Sequence, residues 1–160
     1  MIFILYGPPG SGKNFVAEWL VRDYGFYFYD ADKDLTSEMK QCLTEKQPFT
    51  QEMRDNFFAV VIKKMHMLVK RYPNLVMAQA ISRKKNREQL SHAFPCAKFV
   101  HIDADYNIRL QRLAKRDGLV SPDWVDKLLK IQQTRSPGHY SLDNNQDIAH
   151  LEQQYDLVFS

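Results

Sequence analysis

The sequence predicts an α/β fold three layers deep, with helices on both faces of a five-stranded parallel sheet. Three observations predict it. Short apolar or aromatic runs of strand length recur along the chain, separated by longer stretches with helical spacing. The third run, Leu75 to Ala80, is apolar apart from Gln79, as a strand covered on both faces should be. The first run passes straight into a glycine-rich loop and then a helix. Strands alternating with helices make a parallel sheet joined by crossover helices. No boundary, repeat or low-complexity tract divides the 160 residues, so one domain spans 1–160.

The elements follow in order. Ile2 to Tyr6 is a buried strand. Phe15 to Tyr24 is a helix with Phe15, Val16, Trp19 and Leu20 on one face and Gly25 as its stop. Phe26 to Tyr29 is a short aromatic strand that ends in Asp30-Ala31-Asp32. Leu35 to Lys46 is helical until Pro48. Thr50 caps a long helix from Gln51 to about Tyr72, with Phe57, Phe58, Val61, Ile62, Met65 and Leu68 as its apolar face. After the Leu75 strand, Ser82 caps a helix whose first turn holds Arg83, Lys84 and Lys85. Cations there oppose the helix dipole; either a bound anion offsets them or they form a solvated basic face. Ala97 to Ile102 is a fourth strand closed by Asp103, whose carboxylate either holds a metal or caps a helix. Asp105 opens a helix reaching Arg116. Ser121-Pro122-Asp123 opens another that runs to about Arg135. Residues 136–147 read as polar loop, and Tyr155 to Phe159 as a last strand.

Composition is ordinary for a globular chain, with 44% hydrophobic residues. The net charge of +3 is too small to argue nucleic-acid binding, which is therefore not expected. No segment has the length of a membrane span. Cys42 and Cys96 lack metal-ligand spacing and read as free thiols in a reducing compartment, so the cytoplasm is expected.

The chemistry begins at Gly7-Pro8-Pro9-Gly10-Ser11-Gly12-Lys13. This is the phosphate-binding pattern G-x-x-x-x-G-K, set between a strand and a helix as the motif requires. Glycines let backbone N–H groups turn inward around a phosphate, and the helix N-terminus adds partial positive charge. Lys13 reaches the outer phosphates. The fold is therefore of the P-loop NTPase type, with ATP as the expected nucleotide. Gly7 to Lys13, Asn14 and Phe15 are the candidate cofactor-binding residues. The motif ends in Ser or Thr, whose hydroxyl binds Mg²⁺; here it ends in Asn14, a longer and neutral ligand. No D-x-x-G follows the loop. Asn144-Asn145-Gln146-Asp147 lacks the lysine of a guanine-reading N-K-x-D. A small phosphotransferase remains, with a helical substrate-binding insert after the second strand and a short arginine-bearing lid.

Over residues 1 to about 135 the chain resembles the gluconate kinases, within the shikimate- and adenylate-kinase-like group. That family follows its phosphate loop with D-G-D, here Asp30-Ala31-Asp32. It then has a Pro-Leu pair and an acidic run closing in Arg, here Pro48-Phe49 and Gln51-Glu52-Met53-Arg54. Its S-A-L-K and basic helix stand here as Gln79-Ala80-Ile81-Ser82 and Arg83-Lys84-Lys85-Asn86-Arg87. Its R-L-x-x-R-x-G is Arg112-Leu113-Ala114-Lys115-Arg116-Asp117-Gly118. Leu35, Thr36, Lys46, Leu119 and Asn14 depart from the family's pattern, mostly on the acceptor side.

The resemblance implies roles. Asp30, with Asn14, would hold Mg²⁺ through water. Asp32 would take or orient the acceptor hydroxyl's proton. Arg54 would pair with the acceptor's acidic group, Arg83 and Arg87 standing with it on the substrate side. Arg112 would lie on the adenine face, and Arg116 would close over the transferring phosphate, making Lys13, Asp32 and Arg116 the catalytic set. The resemblance also suggests a homodimer. The bland alternatives are that Asp30 and Asp32 cap the next segment, that Arg54 is a surface residue, and that Arg112 is half of an exposed pair. The expected activity is ATP-dependent phosphorylation of a hydroxyl on a small metabolite, gluconate-like first. The alternatives are a catalytically weak ATP-binding protein and a kinase of nucleic-acid ends.

Overall fold

The computed structural model describes residues 1–115 and 134–159 and, singly, 123, 127 and 130. The sheet comprises β1 (Ile2–Tyr6), β2 (Tyr27–Asp30), β3 (Leu75–Ala78), β4 (Lys98–Asp103) and β5 (Tyr140–Asp143). Their order is β2-β3-β1-β4-β5, and every pairing is parallel. The helices are α1 (Lys13–Tyr24), α2 (Ser37–Thr44), α3 (Gln51–Arg71), α4 (Lys84–Ala93), α5 (Tyr106–Ala114) and α6 (Ile148–Val158).

Alternation along β1 divides the core. Phe3 and Leu5 face one layer with Val16, Trp19 and Leu20 of α1 and Leu151 and Val158 of α6. Ile4 and Tyr6 face the other, with Phe57, Phe58, Val61 and Met65 of α3 and Leu90 of α4. Side chains of a strand point alternately to opposite faces, so one central strand serves both cores. β1 is flanked by β3 and β4, and the chain leaves it toward β2 and β3 before crossing to β4. Its carboxyl end is thus the place where sheets of this kind bind ligands.

Thr50 caps α3 as expected, its hydroxyl accepting from Met53 N at 3.1 Å. Thr36 does the same for α2, so that helix is shorter than the Leu35–Lys46 stretch, and residues 31–34 form a separate 3-10 turn. Two expectations are corrected at helix ends. Phe15 is 45% exposed and lies off the buried face of α1, which Val16, Ala17, Trp19 and Leu20 make. Arg83, not Ser82, occupies the cap of α4 and supplies no side-chain bond there.

The largest correction is at the C-terminus. The last strand is Tyr140–Asp143, inside the stretch read as loop, and Tyr155 to Phe159 closes α6. Only Leu142 of β5 is buried, because β5 is an edge strand and shows one residue to the core. Asp147 caps α6 by accepting from His150 N, and Ile148, Leu151, Tyr155, Val158 and Phe159 then recur at helical spacing against the α1 core. The expected helix from Ser121 to Arg135 and the Arg116–Gly118 lid lie outside the described residues, apart from Asp123, Arg135 and a few residues between them.

Candidate active site

Between β1 and α1 the loop carbonyls are held one by one. Lys13 Nζ donates to Gly7 O (3.0 Å) and Pro8 O (3.2 Å). Arg109 Nε donates to Pro9 O (2.8 Å). Arg112 Nη1 donates to Gly10 O (3.3 Å) and Ser11 O (3.1 Å), and its Nη2 to Asn144 O (2.7 Å). The amide of Asn144 donates to Ser11 O as well (2.8 Å). Pro8 and Pro9 carry no N–H and Ser11 N donates to Pro8 O, so the N–H groups of Gly10, Gly12 and Lys13 are the ones such a loop would offer to an anion.

Gly10 and Gly12 adopt left-handed φ of 79° and 82°. A Cβ on Gly12 would stand 2.3 Å from Asn144 Nδ2, so glycine is needed there for packing as well as for conformation. Gly12 also caps α1 without a side chain, and no acid stands in the first turn. The helix N-terminus is therefore open to an anionic ligand. Ser11 Oγ is fully buried and has no hydrogen-bond partner among the described residues.

Across the edge, Asp30 ends β2. Its Oδ1 accepts from Asp32 N (3.1 Å), capping the 3-10 turn, and its Oδ2 faces Asn14 Nδ2 at 3.5 Å. The two predicted metal residues thus stand together, and Asn14's donor end toward Asp30 leaves its amide oxygen available. Mg²⁺ in nucleotide sites uses one or two protein oxygens plus phosphates and water, so this pair fits the ion. Asp32 is exposed and its carboxylate makes no hydrogen bond among the described residues. Asp34 locks the turn to α3, accepting from Tyr29 OH (2.6 Å) and Lys64 Nζ (2.7 Å).

Arg54 is half-buried on α3, with Nη1 donating to Phe49 O (2.7 Å). Burial and then the charge of Arg83 depress its guanidinium. Arg54 and Arg83 are thus near enough for their like charges to act on each other. Arg87 is turned away from them. It is 6% exposed, donates to Ile81 O (2.7 Å), Ser82 O (3.2 Å) and Ser136 Oγ (2.8 Å), and packs over Tyr6. Lys84 and Lys85 pair with Glu88 and Asp55, so that part of the basic turn is a solvated face. Arg112 is no half of an exposed pair: burial depresses it, and it braces the loop from behind. Among the described residues the Asp103 carboxylate accepts from Ala104 N (2.9 Å). Arg116 lies outside the described residues.

Three residues left without a role by sequence reasoning stand at or behind the loop and the sheet's end. Asn144 follows β5, whose position was misread, so nothing placed it under the loop. Arg109 lies one turn before Arg112 on α5, a spacing that could have grouped them. Gln79 follows β3, 6% exposed; its Oε1 accepts from Ala80 N (2.6 Å), which fixes the amide and leaves Nε2 buried without a partner among the described residues.

A family model described as "AAA domain", AAA_18, matches residues 3–120, most of the chain. The chain belongs to this family. Among curated relatives, it is 27% identical over 119 residues to a gluconokinase of Gluconobacter oxydans (strain 621H), covering 74% of this chain and 67% of that one. It is 26% identical over 151 residues to a cytidylate kinase of Saccharolobus islandicus, covering 91% and 76%. Among solved structures, an unliganded sugar kinase of Janibacter sp. HTCC2649 superposes with a TM-score of 0.81 at 19% identity, covering 97% of this chain and 92% of that one. The three-layer phosphate-loop fold of these kinases is thus that of this chain, with Asn14 of the α1 start and Asp30 of β2 meeting beside the loop.

Proposed function

We propose that this protein transfers the γ-phosphoryl group of ATP to a hydroxyl of a small sugar acid, gluconate-like first. The observation that carries the reading is the meeting, at one sheet edge, of the phosphate loop with Asp30 and Asp32. The contact between Asn14 and Asp30 bridges the two. The gluconokinase relatives support the acceptor class.

The residues divide the work. The loop N–H groups and the start of α1 hold the phosphates. Lys13 exchanges its carbonyl partners for the outer phosphates when ATP enters. Arg54 and Arg83 hold the acceptor's carboxylate, and Arg116 covers the transferring group. Asp32 orients the acceptor hydroxyl and takes its proton as the new O–P bond forms and the bond to the ADP oxygen breaks. Phosphoryl transfer needs mainly such positioning and charge neutralisation. Asn14 and Asp30 would hold Mg²⁺, which supplies charge neutralisation on the phosphates when bound. The two free thiols are in keeping with a cytoplasmic site of action.

The test is ADP formation with gluconate present and absent, for the natural chain, Lys13→Ala and Asp32→Asn. Acceptor-dependent turnover lost in both variants is expected; no stimulation by gluconate or any related acid refutes the reading. A second acceptor belongs in the same assay. The cytidylate kinase relatives align over 91% of this chain, between the two gluconokinases at 74% and 95%, and the Arg54–Arg83 pair suits a phosphate dianion as well as a carboxylate. Turnover with cytidine monophosphate and none with gluconate would move the assignment there.

A further inference from the structure

Tyr6, the last residue of β1, is fully buried, and its side chain reaches the segment that leads into β5. Its hydroxyl oxygen accepts from Ser136 N (3.2 Å) and lies 2.8 Å from His139 Nδ1. Burial raises the titration of this phenol, so it keeps its one proton. Were Nδ1 a donor, that buried O–H would have no acceptor among the described residues. Tyr6 OH therefore donates to Nδ1, and His139 is the neutral tautomer with its proton on Nε2.

The surroundings hold His139 neutral. Its ring stacks on Phe99, with centres 4.7 Å apart and 20° between planes. Burial first, and then the charges of Arg87 on α4, Arg135 on its own segment and His101 on β4, depress its titration below the ordinary histidine range. Arg87 also lies over the Tyr6 ring and donates to Ser136 Oγ (2.8 Å), and Arg135 donates to His139 O (2.9 Å).

This cluster meets the phosphate loop from two sides. Tyr6 passes directly into Gly7, whose carbonyl accepts from Lys13 Nζ. Gly7 has no slack: a Cβ there would stand 2.2 Å from Ile102 O of β4. His139 passes directly into β5, which ends one residue before Asn144, the donor to Ser11 O. A shift between Tyr6 and His139 is thus a shift between the strand that enters the loop and the strand that braces it.

We propose that Tyr6 and His139 are positioning residues for nucleotide at the phosphate loop, joined by a hydrogen bond that proton uptake by His139 breaks. Protonation puts a hydrogen on Nδ1, so ring and phenol face each other as two donors and the Tyr6 proton loses its acceptor. The bond is present above the depressed titration of His139 and lost as pH falls through it. ATP affinity falls with it, because only the bonded form holds the loop ready. The pair acts on nucleotide held at the loop, so the inference rests on that part of the reading above and not on the acceptor.

Calorimetric ATP titrations at about pH 7.5 and about pH 5 compare the natural chain with Tyr6→Phe and His139→Asn. An asparagine oxygen accepts from a phenol and does not titrate. At the higher pH, Tyr6→Phe is expected to weaken ATP binding about threefold or more, and His139→Asn to weaken it less. On acidification the natural chain is expected to lose about threefold more affinity than either variant. The phosphates of ATP titrate alike in all three experiments, so the difference between proteins belongs to His139. Equal pH slopes for the natural chain and His139→Asn overturn the proposal, as does natural affinity in Tyr6→Phe. If Tyr6→Phe fails to fold, the slope of His139→Asn decides alone. ATP binding by none of the proteins at either pH refutes the nucleotide reading itself, and this inference with it.

Discussion

Replacing Asn144 by Ala separates bracing of the phosphate loop from stability of the fold. Asn144 is 1% exposed; its Nδ2 donates to Ser11 O and its Oδ1 is buried without a partner. Losing the bond costs about 1 kcal/mol, and removing the unsatisfied oxygen returns a similar amount. Ser11 O keeps its bond from Arg112, so no new orphan forms. The net change in stability is therefore small, on the order of 1 kcal/mol or less, which moves Tm by roughly 2–4 °C at most for a chain of this size. The loop loses its rear support, however. If about 1 kcal/mol of bracing must be made good when ATP binds, Kd rises about fivefold. Thermal unfolding together with calorimetric ATP titration reads both quantities. A large fall in Tm with an unchanged Kd would show Asn144 to be ordinary core and refute the reasoning. Asn144→Asp sets a carboxylate oxygen against Ser11 O and is expected to weaken ATP more than Ala does.

The remaining predictions are brief. Phe159→Ala removes a fully buried ring packed on Phe3 and Trp19, and should cost about 3–5 kcal/mol in chemical denaturation; a loss under about 1 kcal/mol would argue against α6 as drawn. Asp55 is pulled down to about 2 by bonds from Lys85, Gln51 and Asn86. Its link between α3 and α4 therefore stabilises the fold above the unfolded carboxyl value of about 3.9 and is lost as pH falls toward 2. Asp55→Asn should flatten the acid limb of a stability–pH curve, and an identical limb would count against it. Asn14→Ser should steepen the magnesium dependence of ADP formation, since a hydroxyl suits the hard ion better than an amide; equal dependence would mean Asn14 is not a metal ligand. Gln79→Met removes a buried unpartnered donor at the sheet edge. Acceptor kcat/KM should fall while ATP affinity holds, and unchanged kinetics would leave Nε2 without a role in the reaction.

Much of this molecule is local and was readable. The phosphate loop depends on residues adjacent in the chain. The Thr50 cap needs only Met53, and the apolar face of α3 repeats within one helix. These features follow from glycine conformation, capping and periodicity, which short windows carry. The C-terminus was misread for the complementary reason. Tyr140 to Asp143 buries one residue, so its strand character comes from its pairing with β4, made by residues 40 positions away (Val100 to Tyr140). Tyr155 to Phe159 resembles a strand alone and is helical because Trp19, Tyr24 and Phe3 receive its rings.

The sequence by itself therefore determined the fold class, the phosphate loop and the acid, Asp30, that meets Asn14 beside it. Tertiary structure alone decided how those residues are used. It turned Arg87 inward onto Ile81 and Ser136, set Arg112 and Asn144 behind the loop, and left Arg109 with an N–H that no other described residue accepts. A guanidinium's partners are carbonyls scattered along the chain, and only packing determines which of them come within 3 Å.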